Sequence, residues 1–390
     1  MDLELGILPH YSVNRNDYKL LDMIGFAKGA TVYKAKYLPD DRTVAVKIVD
    51  PHRVEDWKWF KKEVNHASNP QYSKVNVLSV FLHEDHYWVV VNYEKWDSIK
   101  SIMSWLYPDG LPEASIAFVL QGLLKALRTL NVYDVPRVFW LELWNVVFDY
   151  RPPCGHLVHA HMMDFSNIFV GKNIDVKLAL PALSYESVWC KASSNPVPPL
   201  PHWAIAPEVI TEIKHVAHNC YNEDGWMVGL IALQLAFGRL PFSNREGLDA
   251  FITSLEAFVT SFKDRPDFRA PNSRRRSTFR KLCACLGSGF STNYIPDFRG
   301  KKLSLCFWDM VLWCLTRDPS KRPIPFILSA HKFFYPPKNL ADTFCREVFD
   351  QLPTSYLQLI NQTVTEETTW TFEEEVARQP STSSSSSSSF

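Results

Sequence analysis

The 390-residue sequence has no excess of charge of either sign, no basic segment at its N-terminus and no long apolar run. Lys plus Arg and Asp plus Glu number 42 each, so no overall field attracts nucleic acid or an anionic membrane. The N-terminus, MDLELGILPHYSV, is acidic and lacks the basic segment and apolar stretch of a signal peptide. No run approaches the roughly 18 apolar residues of a membrane-spanning helix. We therefore expect a cytoplasmic protein without nucleic-acid or membrane partners, with nuclear shuttling as an open alternative.

The eight cysteines lack the spacing of a zinc site. They are scattered through mostly apolar stretches, and only Cys283 and Cys285 lie close together, without a second pair or a nearby His. We expect reduced, buried thiols and no bound metal. What the sequence does have is ordinary globular composition, with 46% hydrophobic and 22% charged residues, which is enough to build a full core.

The first part of the chain is dominated by short segments rich in β-branched residues. These segments are predicted to be strands at 17–25, 31–38, 43–50, 75–85 and 86–94. A helical pattern interrupts them at 54–67. Its apolar positions fall on one face: Val54, Trp57, Phe60 and Val64. The pattern predicts a small, mostly antiparallel sheet that carries one helix.

After Pro108-Asp109-Gly110 the pattern becomes helical. Helices are predicted at 113–130, 225–238 and 307–317. The boundary between the β-rich and the α-rich part falls near Tyr93–Ser98. From Pro336 onward the chain is polar and ends in a run of serines, which cannot build a core.

Several short motifs follow one another in an informative order. They are Gly25-Phe-Ala-Lys-Gly-Ala-Thr-Val-Tyr33, Val44-Ala-Val-Lys47, a helix with Glu63, Ala206-Pro-Glu208, Asp224 beginning an apolar helix, and Asp318-Pro-Ser-Lys-Arg322-Pro. In this order and spacing they resemble the protein-kinase fold over 18–334. The segments Trp88-Val-Val, 109–127 and 229–242 are most similar to the Sterile-twenty group and, within it, to the STRAD pseudokinases.

The resemblance implies an α+β, two-lobed, protein-kinase-like fold. Its N-lobe, at 18–95, would be small, antiparallel and β-rich, and its C-lobe, at 96–334, larger and mainly helical. An N-terminal extension would occupy 1–17, and a polar tail 335–390. Kinases of this group lack the apolar insert at about 131–155. We expect that insert to pack as a hairpin or a helix, unless it is retained intron sequence.

The resemblance also implies a partly retained nucleotide site. The matching positions are Gly25, Ala27, Val32, Ala45, Lys47, Glu63, Tyr93 and Asn167. Lys47 matches the lysine that binds the phosphates and Glu63 its partner. Ala27 replaces a glycine, and its methyl group should crowd the approach of the backbone to a phosphate. We expect that ATP, where it binds, binds without a metal; a Lys47–Glu63 pair that only holds the lobe together is the alternative.

The catalytic loop lacks the carboxylate that phosphoryl transfer requires. Asn167 matches the asparagine that holds the second metal, and counting back five residues places Met162 at the catalytic aspartate. A register shifted by one residue aligns His159-Ala160-His161 and supplies no carboxylate either. Asp164 would need a distorted loop to act as the base.

The position of the metal-binding aspartate is also without an acid. Where kinases read Asp-Phe-Gly, this chain reads Leu180-Pro181-Ala182. Leu180 cannot coordinate a hard cation, which prefers oxygen ligands. Because loss of a general base alone lowers the rate by ~10²–10⁴, loss of both acids predicts a protein with no catalytic residue, no metal and no enzymatic activity.

Residues that hold the kinase frame are retained. Glu208 and Arg322 match the buried ion pair that ties the activation segment to the C-lobe. Asp224 matches the aspartate at the start of a helix that holds the backbone of the catalytic loop. The sequence thus predicts a preserved frame around a lost chemical site.

The tail carries a candidate docking motif, Trp370-Thr371-Phe372. In an extended chain the two rings point to the same side and are exposed unless a groove receives them. The motif resembles the Trp-Glu-Phe end of STRAD proteins, which inserts into the helical-repeat scaffold called MO-twenty-five. The resemblance implies that Trp370 and Phe372 bind such a scaffold; rings folded back on the C-lobe are the alternative.

Taken with the resemblance, these features imply a catalytically inactive pseudokinase adaptor. It would bind and allosterically activate a serine/threonine kinase of the liver-kinase-B type, together with the scaffold. The alternative is a weakly active, ATP-binding serine/threonine kinase of the Sterile-twenty group that uses Asp164. A third interpretation is an adaptor for another Sterile-twenty kinase, or a translated product without a stable role.

Overall fold

A computed structural model describes most of the predicted domain. The described residues are 11–27, 29–54, 60–61, 64, 77–96, 98–132, 168–170, 175–179, 183, 185–188, 200–208, 220–263, 301–335 and 339–361. Most of the predicted insert, from 133 to 155, lies outside them. Within these ranges, every helix is too short or too polar to cross a bilayer.

The N-terminal part is an antiparallel sheet. Its strands are β1 (Tyr18–Ala27), β2 (Ala30–Tyr37), β3 (Arg42–Val49), β4 (Val77–His83) and β5 (His86–Asn92). A two-residue strand from later in the chain, which we number β8 (Glu186–Ser187), completes the order β4-β5-β3-β2-β1-β8. The alternating, β-branched segments therefore form strands within a few residues of the predicted bounds.

The hairpin between β1 and β2 is tight and depends on one glycine. Ala27 pairs with Ala30, so only two residues form the turn. Gly29 adopts a φ of +69°, in the left-handed region that side chains rarely occupy. The Asp50 amide donates to the Gly29 carbonyl at 2.9 Å, and a Cβ on Gly29 would lie 2.9 Å from the Cβ of Arg53. The tip of the hairpin is therefore held against the turn that follows β3.

The outer face of the sheet carries an aromatic cluster that the N-terminal segment covers. The rings of Tyr18 and Phe81 stack at 5.6 Å between centroids, and those of Phe81 and Trp88 at 5.7 Å. Tyr18 and Ser79 donate from their hydroxyls to the carbonyl of Ser12, at 2.6 and 3.0 Å. Residues 11–17, predicted as part of an extension, thus pack against the sheet.

The inner face of the sheet joins the main core. Phe60 and Val64, predicted on the apolar face of a helix, are helical and buried there. Val54, predicted on the same face, lies before the helical residues in irregular chain. Trp57 lies outside the described residues.

The second part of the chain is mainly helical. Its helices are α1 (Ile99–Leu106), α2 (Glu113–Val132), α3 (Cys220–Phe237), α4 (Arg245–Lys263), α5 (Leu305–Cys314), α6 (Pro325–Leu328), α7 (Leu340–Glu347) and α8 (Thr354–Asn361). A separate hairpin of β6 (Ile168–Val170) and β7 (Val176–Leu178) lies between α2 and α3 in sequence. This arrangement confirms the predicted α+β architecture.

The sequence predicted that Asp224 begins its helix, and this prediction was wrong. The helix α3 begins at Cys220, so Asp224 lies in its second turn. The prediction followed the apolar run that starts at Trp226, whereas the first turn of the helix is polar. Asp224 is nonetheless buried.

Two polar contacts join the segment before α5 to the helices α2 and α3. The partly buried carboxylate of Glu113 accepts the amide of Ser304 at 2.7 Å. Burial raises the pKa of this carboxyl group. The Lys301 ammonium donates to the carbonyls of Leu111 and Ala236, at 3.0 and 2.7 Å, and burial lowers its pKa to about 8. The contact with Ala236 satisfies a carbonyl in the last turn of α3, which that helix leaves unpaired.

The prediction of a polar tail from 335 onward was wrong for 339–361. In this segment the ring of Phe344 on α7 stacks on Phe118 of α2, with 4.6 Å between centroids. The ring of Phe349 stacks on Trp96 at 4.3 Å. Tyr107 donates its hydroxyl to the carbonyl of Glu347 at 2.6 Å. The apolar residues recur every three to five positions among polar ones, so mean polarity concealed a helical stripe.

Replacing Phe344 by Ala should therefore lower the free energy of unfolding by ~3–5 kcal/mol, because it leaves a cavity in a packed core. Equilibrium urea denaturation of the whole chain measures this change. The matched control is Phe326→Ala, since Phe326 is exposed on α6 and its loss should change stability by less than about 1 kcal/mol. Equal effects of the two variants would contradict the docking of 339–361.

Candidate functional site

The predicted nucleotide residues stand side by side on three adjacent strands. Gly25 of β1 pairs with Val32 of β2, and Val32 pairs with Lys47 of β3. Val32 and Ala45 belong to the main core on the inner face of the sheet. Lys47 is only 5% exposed. The register of the sheet thus places the first glycine of the loop, a buried valine and the lysine in one row.

Two further predicted positions flank this row. Ala27 is the last residue of β1 and pairs with Ala30 beside the tight turn. Tyr93 follows β5, is half-buried and packs on the main core. The ammonium of Lys34 lies 5.5 Å from the centre of its ring. The two residues lie at opposite ends of the sheet, because Ala30 pairs with Val49 and Val49 with Tyr87 near the start of β5, whereas Tyr93 follows the end of β5.

The predicted positions of the catalytic machinery lie outside the described residues. They are Glu63, Met162, Asp164, Asn167 and Leu180, and the docking residues Trp370 and Phe372 lie outside as well. The hairpin of β6 and β7 directly follows Asn167 in sequence and ends two residues before Leu180.

The hairpin lies between the start of α1 and the helix α2. Phe169 of β6 forms a bridge with Ser98, at the start of α1. A Cβ on Gly122 of α2 would lie 2.4 Å from the Cβ of Val176 on β7, so glycine is required for this close approach. The hairpin is thus packed tightly on the helical part.

A buried ion pair joins this hairpin to the linker between the two parts. The Lys177 ammonium contacts both carboxylate oxygens of Glu94, at 2.8 and 3.0 Å. Glu94 is 7% exposed, and burial raises the pKa of its carboxyl group while Lys177 opposes this change. Sequence reasoning missed the pair, because neither residue belongs to a motif.

The short strand β8 adds to the edge of the sheet at the glycine loop. Ser187 pairs with Gly25 and Glu186 pairs with Phe26, in antiparallel orientation. The side chains of Tyr185 and Val188 pack on the main core from the same segment. Sequence reasoning placed no strand here.

Glu208 and Arg322 form a buried, two-pronged ion pair. Both terminal nitrogens of Arg322 contact the carboxylate, with 3.0 Å from Nη2 to Oε2 of Glu208. Arg322 also donates from Nε to the carbonyl of Thr316 at 2.9 Å. Its guanidinium lies 5.0 Å from the centre of the Trp226 ring on α3. The pair therefore connects three separate segments, and Arg322 is only 3% exposed.

Among the described residues, no group of three or more His, Cys, Asp or Glu side chains is arranged to hold a metal ion. Cys306, Cys314 and Cys345 are free thiols. What the described part of the site offers is a buried lysine on a paired sheet, and an ion-paired frame beneath it.

The sequence was also compared with known proteins. No protein-family model matches the chain. Serine/threonine-protein kinase fray1 of Dictyostelium discoideum is 25% identical over 341 residues, which cover 85% of this chain and 48% of the relative. Serine/threonine-protein kinase fray2 of the same organism is 25% identical over 348 residues, covering 88% and 28%. STE20-related kinase adapter protein alpha of Gallus gallus is 23% identical over 340 residues, covering 81% and 80%.

The chain thus spans about half or less of the two kinases, but most of the adapter. These similarities confirm the predicted relationship to kinases and adapters of the Sterile-twenty type, and with it the two-lobed kinase-like fold. The names of the relatives fall into two classes, kinase and kinase adapter. Because both classes share the fold, the fold alone does not show whether this chain transfers phosphate or acts as an adapter.

Replacing Glu208 by Gln should lower the free energy of unfolding by ~3–5 kcal/mol, because it leaves the buried guanidinium of Arg322 without its counter-charge. Urea denaturation measures the loss. The exposed pair of Arg317 and Asp249 is the matched control, and Arg317→Ala should cost less than about 1 kcal/mol. If the two changes are equal, the buried pair does not hold the frame.

Replacing Glu94 by Gln should change how stability depends on pH. Burial raises the pKa of Glu94 in the folded protein above 4.5, so the folded chain holds this proton more tightly than the unfolded chain. Ionisation of Glu94 therefore lowers the free energy of unfolding as pH rises from about 4.5 through the folded pKa. The wild-type value minus the variant value should fall across this range, as measured by urea denaturation at a series of pH values.

The control is Glu256→Gln, which removes one carboxylate from an exposed position on α4. A wild-type minus variant difference that rises with pH for Glu94 would show that the attraction of Lys177 outweighs burial. In that case the pair stabilises the charged form, and the direction given above is wrong.

Proposed function

The chain is related to kinases and kinase adapters of the Sterile-twenty type, and from this relationship we propose that it is a pseudokinase adaptor rather than an enzyme. It binds and allosterically activates a serine/threonine kinase. The proposal is carried by the contrast between the residues at the catalytic positions of the sequence and the retained ion pair of the kinase-like fold. Met162 and Leu180 stand where phosphoryl transfer needs two carboxylates, whereas the buried pair of Glu208 and Arg322 is assembled.

Retention of the frame without the acids supports a binding role on physical grounds. A buried ion pair is costly to break but is not required for a stable fold, since apolar residues of similar volume often serve as well. Its presence is therefore consistent with use of the kinase surface, which the frame shapes, by a partner. Phosphoryl transfer, by contrast, depends on charge neutralisation by a held cation, and Leu180 offers no ligand for one.

The partners follow from the resemblance. We propose a kinase of the liver-kinase-B type, and a helical-repeat scaffold of the MO-twenty-five type that receives Trp370 and Phe372. The site of action is the cytoplasm, with no nucleic acid or membrane partner. Any ATP that enters the cleft binds beside Lys47 without a metal.

The alternative from another class is a weakly active serine/threonine kinase. It is favoured by the names of the two Dictyostelium relatives and by the buried Lys47 in register with Gly25 and Val32. Its base would be Asp164. The two hypotheses differ in one measurable property, the transfer of phosphate.

We expect affinity purification of the whole chain to recover a kinase and a helical-repeat scaffold, while the purified chain alone transfers no phosphate above background. Kinases turn over at about 1–100 s⁻¹, so loss of both acids should place this chain at least ~10²–10⁴ below that range. Labelled ATP with magnesium or manganese and a generic substrate measures the transfer. Robust transfer that Lys47→Met abolishes would establish the kinase alternative instead.

Variants of the tail test the proposed scaffold contact in the same affinity purification. Trp370→Ala and Phe372→Ala should each weaken recovery of the scaffold by about 30-fold, the equivalent of ~2 kcal/mol for a buried aromatic anchor. Thr371→Ala is the matched control, because in an extended chain its side chain points to the other side. Unchanged recovery by the Trp370 and Phe372 variants would overturn the tail contact and leave the kinase contact to be judged separately.

A further inference from the structure

A short segment after β7 lies against the opening of the predicted nucleotide site. We call its described residues, 183 and 185–188, the strap. The strap contains β8, which pairs with β1 at Gly25 and Phe26. In the absence of β8, β1 would be the edge of the sheet, with unpaired amides and carbonyls along it. The strap thus adds a strand from within the same chain, as an extended peptide does when it binds an open sheet edge.

The strap comes from the helical part and ends on the sheet. Its chain leaves β7 at Leu178, in the hairpin that packs between Ser98 and α2. Eight residues later it reaches Glu186, paired on β1. Because both ends are fixed, the strap crosses from one lobe to the other beside the first glycine of the loop.

Three side chains of the strap, those of Leu183, Tyr185 and Val188, pack on the core. Leu183 is buried, and the ring of Tyr185 lies 5.6 Å from that of Phe169 on β6. Tyr185 and Val188 pack on the same core as Ile24 and Val32, which begin and end the glycine loop. Apolar contact therefore supplements the strand pairing.

The strap contacts both sides of the predicted nucleotide site. On the sheet, Ser187 pairs with Gly25. On the helical part, the ring of Tyr185 lies 5.6 Å from that of Phe169, which is two residues after Asn167 in sequence. Val32, Ala45 and Lys47 of the predicted site are buried in the folded chain.

We propose that the strap is an intramolecular occupant of the nucleotide cleft, so that strap pairing with β1 and binding of an adenine nucleotide exclude each other. The strap holds the two lobes together without a nucleotide. ATP enters only when β8 leaves β1, and its apparent affinity is reduced by the fraction of molecules in which the strap is released. This proposal is independent of whether the chain transfers phosphate.

The effect of releasing the strap distinguishes a blocked cleft from a cleft that has simply lost affinity for ATP. A cleft that has merely lost its phosphate-binding glycines should bind ATP equally badly with the strap attached or released. A cleft blocked by the strap should gain affinity on release. For a strap released in about one molecule in ten to one in a hundred, release raises the affinity by ~10–100-fold.

The first test releases the strap. Titration of a fluorescent ATP analogue with EDTA present compares the whole chain with the double variant Tyr185→Ser, Ser187→Pro. Proline lacks the amide that a ladder requires, and serine removes the ring that contacts Phe169. We expect at least about a tenfold gain in affinity. The matched control is Tyr335→Ser, since Tyr335 is 72% exposed, and it should leave the affinity unchanged.

Adding Lys47→Met to the strap variant locates the binding. The gain should be lost if the analogue sits beside Lys47, and a gain that survives would place the analogue elsewhere and overturn the proposal. A double variant that binds no better than the wild type would overturn it as well.

The second test locks the strap and does not rely on a destabilising substitution. Phe26 and Glu186 are opposite each other in the ladder, and opposed residues of antiparallel strands lie at a Cα separation of about 4.5–5.5 Å, which a disulfide can span. In the double variant Phe26→Cys, Glu186→Cys, oxidation should weaken binding of the analogue at least about tenfold, and reduction should restore it. The wild type, oxidised and reduced in the same way, controls for the native cysteines. Affinity that is the same in the locked and the reduced variant would show that strap and nucleotide do not compete.

Discussion

The buried guanidinium of Arg322 is the group on which the helical part depends. It carries a full charge into a site with almost no exposure, and this is tolerable only because a carboxylate, two backbone carbonyls and the face of Trp226 surround it. Those partners belong to the chain around Glu208, to α3 and to the turn after α5. A single desolvated charge thus fixes the relative position of segments that are far apart in sequence. None of these contacts needs a substrate, so the constraint does not depend on catalysis.

A second set of contacts fixes the linker between the sheet and the helices. Glu94 is tied to Lys177 on one side of the linker, and Trp96 is stacked under Phe349 on the other. The segment 339–361 therefore acts as part of the domain, holding the linker against α2. In a two-lobed protein the linker is where the lobes would rotate, and a linker held on both sides resists that rotation. The strap contributes in the same direction, since it joins the lobes at their open edge.

Sequence reasoning succeeded where one local pattern decides the outcome. Alternation predicted the five strands, and the 3.6-residue period predicted α2 and the apolar body of α3, because burial of one face is a local property. It failed where the outcome depends on distant chain. The helix α7 has too few apolar residues to be noticed until α2 supplies their partners, β8 has only two residues, and the pair of Glu94 and Lys177 unites two unremarkable positions. The polar first turn of α3 misplaced Asp224 for the same reason. Of the predicted site, the row of Gly25, Val32 and Lys47 followed from motif order, whereas its closure by the strap had no sequence signal.

The proposed adaptor function and the strap meet in one physical requirement. A protein that acts through its surface must keep that surface in one conformation, and in an enzyme of this fold the ligand in the cleft helps to set it. If the strap takes the place of the ligand, the shape no longer depends on nucleotide concentration, because the occupant is part of the chain and its effective concentration is constant. The proposed loss of the acids and the proposed filling of the cleft then have a common explanation. Once the cleft serves only to hold the lobes together, nothing retains the carboxylates, while the ion pair, the linker contacts and the strand pairing are all still needed.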